Sequence, residues 1–117
     1  MARVLIDSDV FVDHLRGRRR LPTGVDDVHY SSVTRAELFA GRGTVERRVR
    51  SLLEPFTELP VDGLVAERAG RLRRQVGLPV LDALIAATAL EHHLVLVTGH
   101  VGAFAQVRGL RARGPDE

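Results

Sequence analysis

The apolar residues of the chain fall into short runs separated by stretches with helical spacing. Residues 3–6 form an apolar run of strand length, and Phe11 and Leu15 then recur four residues apart, as on one face of a helix. Residues 28–33 predict a second strand, and 94–97 is a wholly apolar run that predicts a third. Runs of this kind, without strict alternation of polar and apolar positions, are typical of strands buried on both faces.

Further elements are predicted around these strands from helical spacing and from glycine and proline breakers. They are a loop over 16–27, a helix from Thr34, helices over 45–56 and 65–76, a helix after Asp82 and a last short element near 107–110. Strands that alternate with helices favour a three-layer α/β fold around a mostly parallel sheet. A length of 117 residues fits a single domain over 1–117.

Composition excludes several classes of protein. The chain has no cysteine, which excludes disulfides, thiolate zinc sites and a cysteine nucleophile. It also has no lysine, which excludes a Walker-type phosphate loop, protein kinase chemistry and Schiff-base catalysis. No apolar run approaches a membrane span, and Met1 leads directly into the first strand. We therefore expect a soluble protein of the cytoplasm.

All 17 basic residues are arginines, although the net charge is only +2. They are clustered at 16–20, 47–50 and 71–74. Such clusters can bind phosphates, and they can equally be the solvated faces of helices, so both interpretations stay open at this point.

Three carboxylates follow predicted strands or begin predicted helices. Asp7 ends the first strand, Glu37 lies in the first turn after the second, and Asp82 begins the helix before the last core strand. In a parallel sheet the carboxyl ends of the strands and the amino ends of the following helices share one edge. We therefore expect these three side chains to converge.

Helix capping offers a local explanation for each carboxylate taken singly. Thr34 and Glu37 match a capping box, Asp82 suits an N-cap, and Asp9 or Ser8 could cap the first helix. Capping does not explain the convergence, because crowded carboxylates repel one another unless a cation compensates them. Oxygen ligands favour Mg²⁺ or Mn²⁺, which can bridge to phosphate oxygens and activate a water.

Three segments carry a resemblance to a known family. They are IDSDVFVDHLRG at 6–17, SSVTRAELFAGR at 31–42 and LDALIAATALEHHLVLVTGHVGAF at 81–104. In this order and at this spacing they resemble the PIN-domain ribonucleases, and within them the VapC toxins of bacterial toxin–antitoxin pairs. The resemblance covers nearly the whole chain and implies the three-layer α/β PIN fold.

The resemblance also implies roles for individual residues. Those implied as catalytic residues and metal ligands are Asp7, Glu37 and Asp82, and those implied as supporting the site are Asp9, Thr98 and His100. The sequence departs from the family after the last core strand, where His100 replaces an asparagine and Ala103 replaces a fourth acid. The segment between the first helix and the second strand is also short for the family.

What the resemblance implies is an endoribonuclease toxin that uses Mg²⁺ or Mn²⁺ to cut structured RNA, such as tRNA or ribosomal RNA, and leaves a 5′-phosphate. Its implied partners are a neutralising VapB antitoxin and a second copy of the chain, and phosphate contacts are expected from Arg16, Arg18 and Arg19. The alternative is a catalytically weakened PIN domain that binds antitoxin or RNA.

Two other families share single features with this chain. The DSDV segment at 7–10 is similar to the start of haloacid-dehalogenase-like phosphatases, which usually need a lysine, and an acid that ends a strand is similar to receiver domains, which depend on one. The chain has no lysine, which disfavours both families.

Overall fold

One parallel sheet organises the fold. The computed structural model describes residues 2–21, 24 and 26–117, and within them the sheet has the strand order β3-β2-β1-β4-β5 with every neighbouring pair parallel. Its strands are β1 (Arg3–Ile6), β2 (Asp27–Ser31), β3 (Thr57–Leu59), β4 (Val95–Val97) and β5 (Ala112–Arg113). The central strand β1 pairs with β2 on one side and β4 on the other, and Leu5 lies opposite both His29 of β2 and Leu96 of β4.

Helices connect these parallel strands. They are α1 (Ser8–Leu15), α2 (Ser32–Ala40), α3 (Glu46–Leu53), α4 (Gly63–Val76) and α5 (Val80–Glu91), and a short 3₁₀ turn covers Val101–Phe104. Gly77 ends α4 in the left-handed conformation that glycine adopts at low cost, with φ of 71°. None of the helices described is long and apolar enough to cross a membrane.

The sheet is covered on both faces, which confirms the three-layer prediction. Leu5 belongs to a buried cluster with residues of α4 and α5, including Val65 and Ile85. Its neighbours Val4 and Ile6 point the other way, because successive side chains of a strand alternate between faces. They join a second cluster, with residues of α1 to α3.

Some predicted boundaries were wrong. The second strand covers 27–31 instead of 28–33, because the Ser31 hydroxyl accepts a hydrogen bond from Val33 N and starts α2 there. The element predicted near 107–110 is a series of turns. Part of the loop predicted over 16–27 lies outside the described residues, at Pro22, Thr23 and Val25.

Candidate functional site

The candidate site lies where the strand order reverses. From β1 the chain builds β2 and β3 on one side and later β4 and β5 on the other. In open parallel sheets such a switch point leaves a crevice at the carboxyl ends of the two diverging strands, and ligands bind there. Asp7 directly follows β1 and Thr98 directly follows β4, so both lie at this crevice.

Asp7 is held by hydrogen bonds from three directions. Its backbone N donates to Val97 O at 2.9 Å. In its carboxylate, Oδ1 accepts from Ser8 N at 2.7 Å as the N-cap of α1, and Oδ2 accepts from Thr98 Oγ1 at 2.9 Å. Only 8% of Asp7 is exposed. The carboxylate therefore has little freedom to move away from the crevice.

Burial raises the pKa of Asp7 to about 6, and the negative charge of Asp9 adds to this effect. Hydrogen bonds from Ser8 and Thr98 lower the pKa in part, while the charge of Asp82 raises it. The ionised carboxylate is thus destabilised by lost hydration and by neighbouring acids. A cation in the crevice would offset both effects.

Asp9 holds the loop that follows β4. Its Oδ2 accepts from Gly99 N at 3.0 Å and lies 3.3 Å from His100 Nε2. A side chain at Gly99 would place Cβ 2.5 Å from this oxygen, so any other residue there would displace the Asp9 carboxylate from its present position. The other oxygen of Asp9, Oδ1, is buried and has no hydrogen-bond partner in the part of the chain that the structure describes. Burial raises the pKa of Asp9, and the charge of His100 opposes that rise.

Glu37 joins the site through a hydroxyl. Ser8 Oγ donates to Glu37 Oε1 at 2.6 Å, and Thr34 Oγ1 lies within hydrogen-bond distance of Ser8 Oγ, at 2.9 Å. The predicted capping box is therefore wrong, because Ser31 caps α2 and Thr34 is a buried helical residue. Glu37 is held instead by the residue that follows Asp7.

Asp82 approaches from the opposite face of the sheet. The predicted N-cap role is wrong, since α5 begins at Val80 after Pro79 and Asp82 lies within its first turn. Its side chain makes no hydrogen bond to any residue that the structure describes. It is nevertheless close enough for its charge to raise the pKa of Asp7. Asp82 thus lies within electrostatic range of Asp7, while the close convergence of Asp7, Glu37 and Asp82 stays a prediction.

The donor set suits a hard divalent cation held by few protein ligands. Among the described residues no three His, Asp or Glu side chains are close enough together to surround an ion. Mg²⁺ typically keeps several waters and needs only one or two carboxylates. Asp7 and Asp82 carry oxygen donors of the kind that Mg²⁺ prefers, and Oδ1 of the nearby Asp9 has no hydrogen-bond partner among the described residues.

The segment after β4 differs from the rest of the site. Ala103 lies exposed in the 3₁₀ turn and brings no carboxylate, while the His100 side chain is 73% exposed beside Asp9. Thr98 links this segment to Asp7, because the hydroxyl that donates to Asp7 also accepts a hydrogen bond from His100 N at 3.1 Å.

The arginines named for phosphate contacts have different surroundings. Arg18 lies 4.0 Å from Asp13, and Arg19 pairs with Asp116 at 2.5 Å. Arg16 has no carboxylate partner among the described residues and lines a groove of about 170 Å³ beside α2.

Sequence reasoning considered Ser8 only as a cap of α1, a role that it also left open for Asp9. Both assignments are wrong, because Asp7 is the cap. Among the other arginines of the groove beside α2, Arg48 belongs to the predicted 47–50 cluster, while Arg42 was not singled out.

Comparisons with known proteins match this architecture. The profile of the family described as "PIN domain" matches residues 4–109. Ribonuclease VapC10 of Mycobacterium tuberculosis (strain CDC 1551 / Oshkosh) is 38% identical, over 92% of this chain and 90% of its own length.

Solved structures share the fold over almost their full length. One is described as a toxin-antitoxin complex from Klebsiella pneumoniae, with 30% identity, a TM-score of 0.83 and coverage of 96% of this chain and 97% of that chain. Another is VapBC2 from Rickettsia felis bound to a DNA fragment from its promoter, with 18% identity, a TM-score of 0.80 and coverage of 96% and 98%. The second likeness is one of fold alone.

Proposed function

Because this chain belongs to the PIN-domain family, in its VapC branch, we propose that it is a metal-dependent endoribonuclease toxin that hydrolyses phosphodiester bonds of RNA. The observation that carries the proposal is the state of Asp7. This carboxylate is buried at the switch point, fixed by Ser8 and Thr98, and destabilised by burial and by the charges of Asp9 and Asp82. Such an arrangement is unfavourable without a cation and suits a protein that binds one.

The roles of the residues follow from their contacts. Asp7 and Asp82 would hold Mg²⁺ or Mn²⁺, with Glu37 as the third acid. A bound ion of this kind supplies a water of lowered pKa and neutralises charge on the phosphate. Ser8 fixes the orientation of both Asp7 and Glu37, since its backbone N binds the first and its hydroxyl binds the second. Glu37 Oε1 is an acceptor for a proton released from water.

Water would attack phosphorus and the bond to the 3′-oxygen would break, leaving a 5′-phosphate on one fragment and a 3′-hydroxyl on the other. The proposed substrates are structured cytoplasmic RNAs of the tRNA or ribosomal RNA class. We propose that Asp9, Thr98 and His100 act as positioning residues. Thr98 contacts the Asp7 carboxylate, Asp9 contacts the loop that follows β4, and His100 contacts Asp9.

A VapB-type antitoxin is the proposed protein partner. Support comes from solved relatives whose descriptions name toxin–antitoxin assemblies, such as VapBC from Salmonella typhimurium at 25% identity and a TM-score of 0.70. Purified chain mixed with its VapB-type antitoxin should form a stable complex and lose RNA cleavage. Cleavage that persists in a saturated complex would contradict this assignment.

We also propose that two copies of the chain associate. Exposed apolar side chains on α4 and α5 support this, since Leu64 is 65% exposed and Val80 is 50% exposed. Light scattering of the antitoxin-free protein should give twice the chain mass at micromolar concentration. A single chain mass at every concentration would contradict the homodimer.

The nuclease proposal is tested by cleavage of a mixture of bacterial tRNA and ribosomal RNA with Mg²⁺, with Mn²⁺ and with EDTA. We expect discrete fragments with either metal and none with EDTA or with Asp7→Asn. The matched control is Asp27→Asn, because Asp27 begins β2 at the opposite edge of the sheet. Cleavage that survives EDTA and Asp7→Asn would contradict the proposal.

Ala103 favours a second candidate function, a PIN domain that binds RNA or antitoxin without efficient cleavage, because this residue brings no fourth acid to the site. Correctly folded, antitoxin-free protein that binds RNA but yields no fragments with either metal would support the binding module. Discrete metal-dependent fragments would reject it.

A further inference from the structure

A groove with arginines along its rim leads away from the candidate site. It is formed by the end of α1, by α2, by the turn after α2 and by the first turns of α3. Its polar rim carries Arg16, Arg42 and Arg48, and the single acid among its lining residues is Glu37. We call this surface the arginine groove.

The three arginines are available to a ligand. All three are exposed, and none has a carboxylate within salt-bridge distance in the part of the chain that the structure describes. Arg48 makes one weak contact, donating from Nη2 to Leu15 O at 3.5 Å. By contrast, Arg18 and Arg19 pair with carboxylates and lie outside this groove. Unpaired guanidinium groups bind phosphate oxygens through their planar fork of N–H donors.

The groove begins at the carboxylates of the site. Glu37 belongs to both, because it lines the groove and accepts the hydrogen bond from Ser8, the neighbour of Asp7. The site carboxylates repel phosphates, so RNA needs positive charge nearby to remain bound. The arginine rim supplies that charge directly beside Glu37.

We propose that the arginine groove holds the phosphate backbone of single-stranded RNA that extends from the cleavage site. This inference rests on the proposed function and names a surface for its substrate. The groove lining contains no aromatic residue, so bases do not stack there; aliphatic side chains such as Leu15 and Val49 line it, and the arginines of the rim provide the contacts to phosphate. Binding should therefore depend strongly on salt and weakly on base sequence.

The test measures binding without cleavage. A fluorescein-labelled single-stranded RNA of mixed sequence is titrated with antitoxin-free protein in EDTA, over a series of salt concentrations. The groove variant is Arg42→Ala/Arg48→Ala and the matched control is Arg71→Ala/Arg74→Ala, which removes the same charge from exposed positions of α4. A thermal melt of each variant checks folding, and Arg42→Ala alone serves if the double variant unfolds, since Arg42 makes no recorded hydrogen bond in the described residues.

We expect the slope of log affinity against log salt to become shallower by about 0.7 for each lost contact in the groove variant, and to stay unchanged in the control. Equal slopes in the two variants would overturn the proposal. So would a groove variant that loses the VapB-type antitoxin but keeps the wild-type slope for RNA, because the groove would then receive protein. Failure of the proposed function is distinguishable, since it appears as absent cleavage with metal while the slopes in EDTA still differ.

Discussion

Two kinds of carboxylate lie near the switch point, and they differ in what fixes them. Asp7 directly follows β1 and is held by a backbone amide and a hydroxyl, and Asp9, in the first turn of α1, is tied by Gly99 N to the loop that follows β4. Glu37 of α2 and Asp82 of α5 have no hydrogen bond to a strand end; the first has one hydroxyl donor and the second has none among the described residues. We call these pairs the strand-side and helix-side carboxylates.

The two kinds of carboxylate differ in how firmly they are held. The strand-side carboxylates are tied by hydrogen bonds to Thr98 and Gly99, the two residues that follow β4, so they have little freedom to move. Glu37 was predicted in the first turn of α2 but lies beyond it, and Asp82 lies in the first turn of α5; with fewer hydrogen-bond donors, both are freer to adapt to an ion or a phosphate. We therefore expect loss of a strand-side carboxylate to lower metal affinity and cleavage more than loss of a helix-side carboxylate.

The largest expected effect separates the two kinds directly. We expect Asp7→Asn to lower kcat/KM for RNA cleavage by about 10³-fold or more, and Glu37→Gln to lower it by about 10²-fold. Single-turnover cleavage of one RNA by both variants measures the ratio. Equal losses would show that fixation by the strand does not distinguish Asp7.

The second effect concerns stability and uses the raised pKa of Asp7. Because this pKa is about 6 in the folded protein and 3.8 is its ordinary value, the folded state favours the protonated form. Its stabilising contribution is complete below pH 4 and is lost as pH rises through 6. In EDTA, Asp7→Asn should therefore gain about 2 kcal/mol of unfolding free energy relative to wild type between pH 4.5 and 7.5.

Urea unfolding of both proteins at each pH measures this difference. Hydrogen bonds lost in the variant add a constant offset and do not affect the slope with pH. Glu67→Gln provides the control, since Glu67 is exposed on α4 and has no ion-pair partner among the described residues. A difference that is flat with pH would mean that Asp7 is not destabilised by burial.

The third effect removes the donors that fix each kind of carboxylate. Thr98→Val deletes the hydroxyl on Asp7 Oδ2, and Ser8→Ala deletes the hydroxyl on Glu37 Oε1. Partners that orient metal-binding carboxylates contribute about 10–100-fold in affinity or activity. We expect Thr98→Val to lower cleavage by about 100-fold and to raise the Mn²⁺ concentration needed for half-maximal cleavage. We expect Ser8→Ala to lower cleavage by about 10-fold.

Thr88→Val is the matched control for this pair. Thr88 is as buried as Thr98, but its hydroxyl donates to Leu84 O within α5. A general response to loss of a buried hydroxyl would appear in all three variants alike. That outcome would contradict a specific role of Thr98.

Much of the strand-side arrangement could be predicted from the sequence. An apolar run ending in Asp7, and another ending in Thr98, place both residues at one sheet edge once parallel pairing is assumed. The edge strands β3 and β5 could not be predicted, because they have three and two residues and no fully buried position. They form by pairing with β2 and β4, which is a tertiary effect.

The positions of the helix-side carboxylates within their helices were less predictable, because capping residues decide where the helices begin. Ser31 and Pro79 start α2 and α5 earlier than the predicted Thr34 and Asp82. The arginine groove was also beyond local reasoning, since it joins residues from α1, from the turn after α2 and from α3. Only packing of these elements brings their side chains together.

The smallest expected effect concerns His100, which lies in the loop that follows β4. It contacts the strand-side Asp9, yet its side chain is 73% exposed, so its ion pair is largely screened by solvent. An exposed pair contributes up to about 1 kcal/mol, which is about fivefold in rate. We expect His100→Ala to lower cleavage by no more than about fivefold, and His100→Asn to behave similarly. A loss as large as that of Asp7→Asn would instead make His100 a group that touches the reacting phosphate, and the exposed loop after β4 would then belong with the strand-side carboxylates.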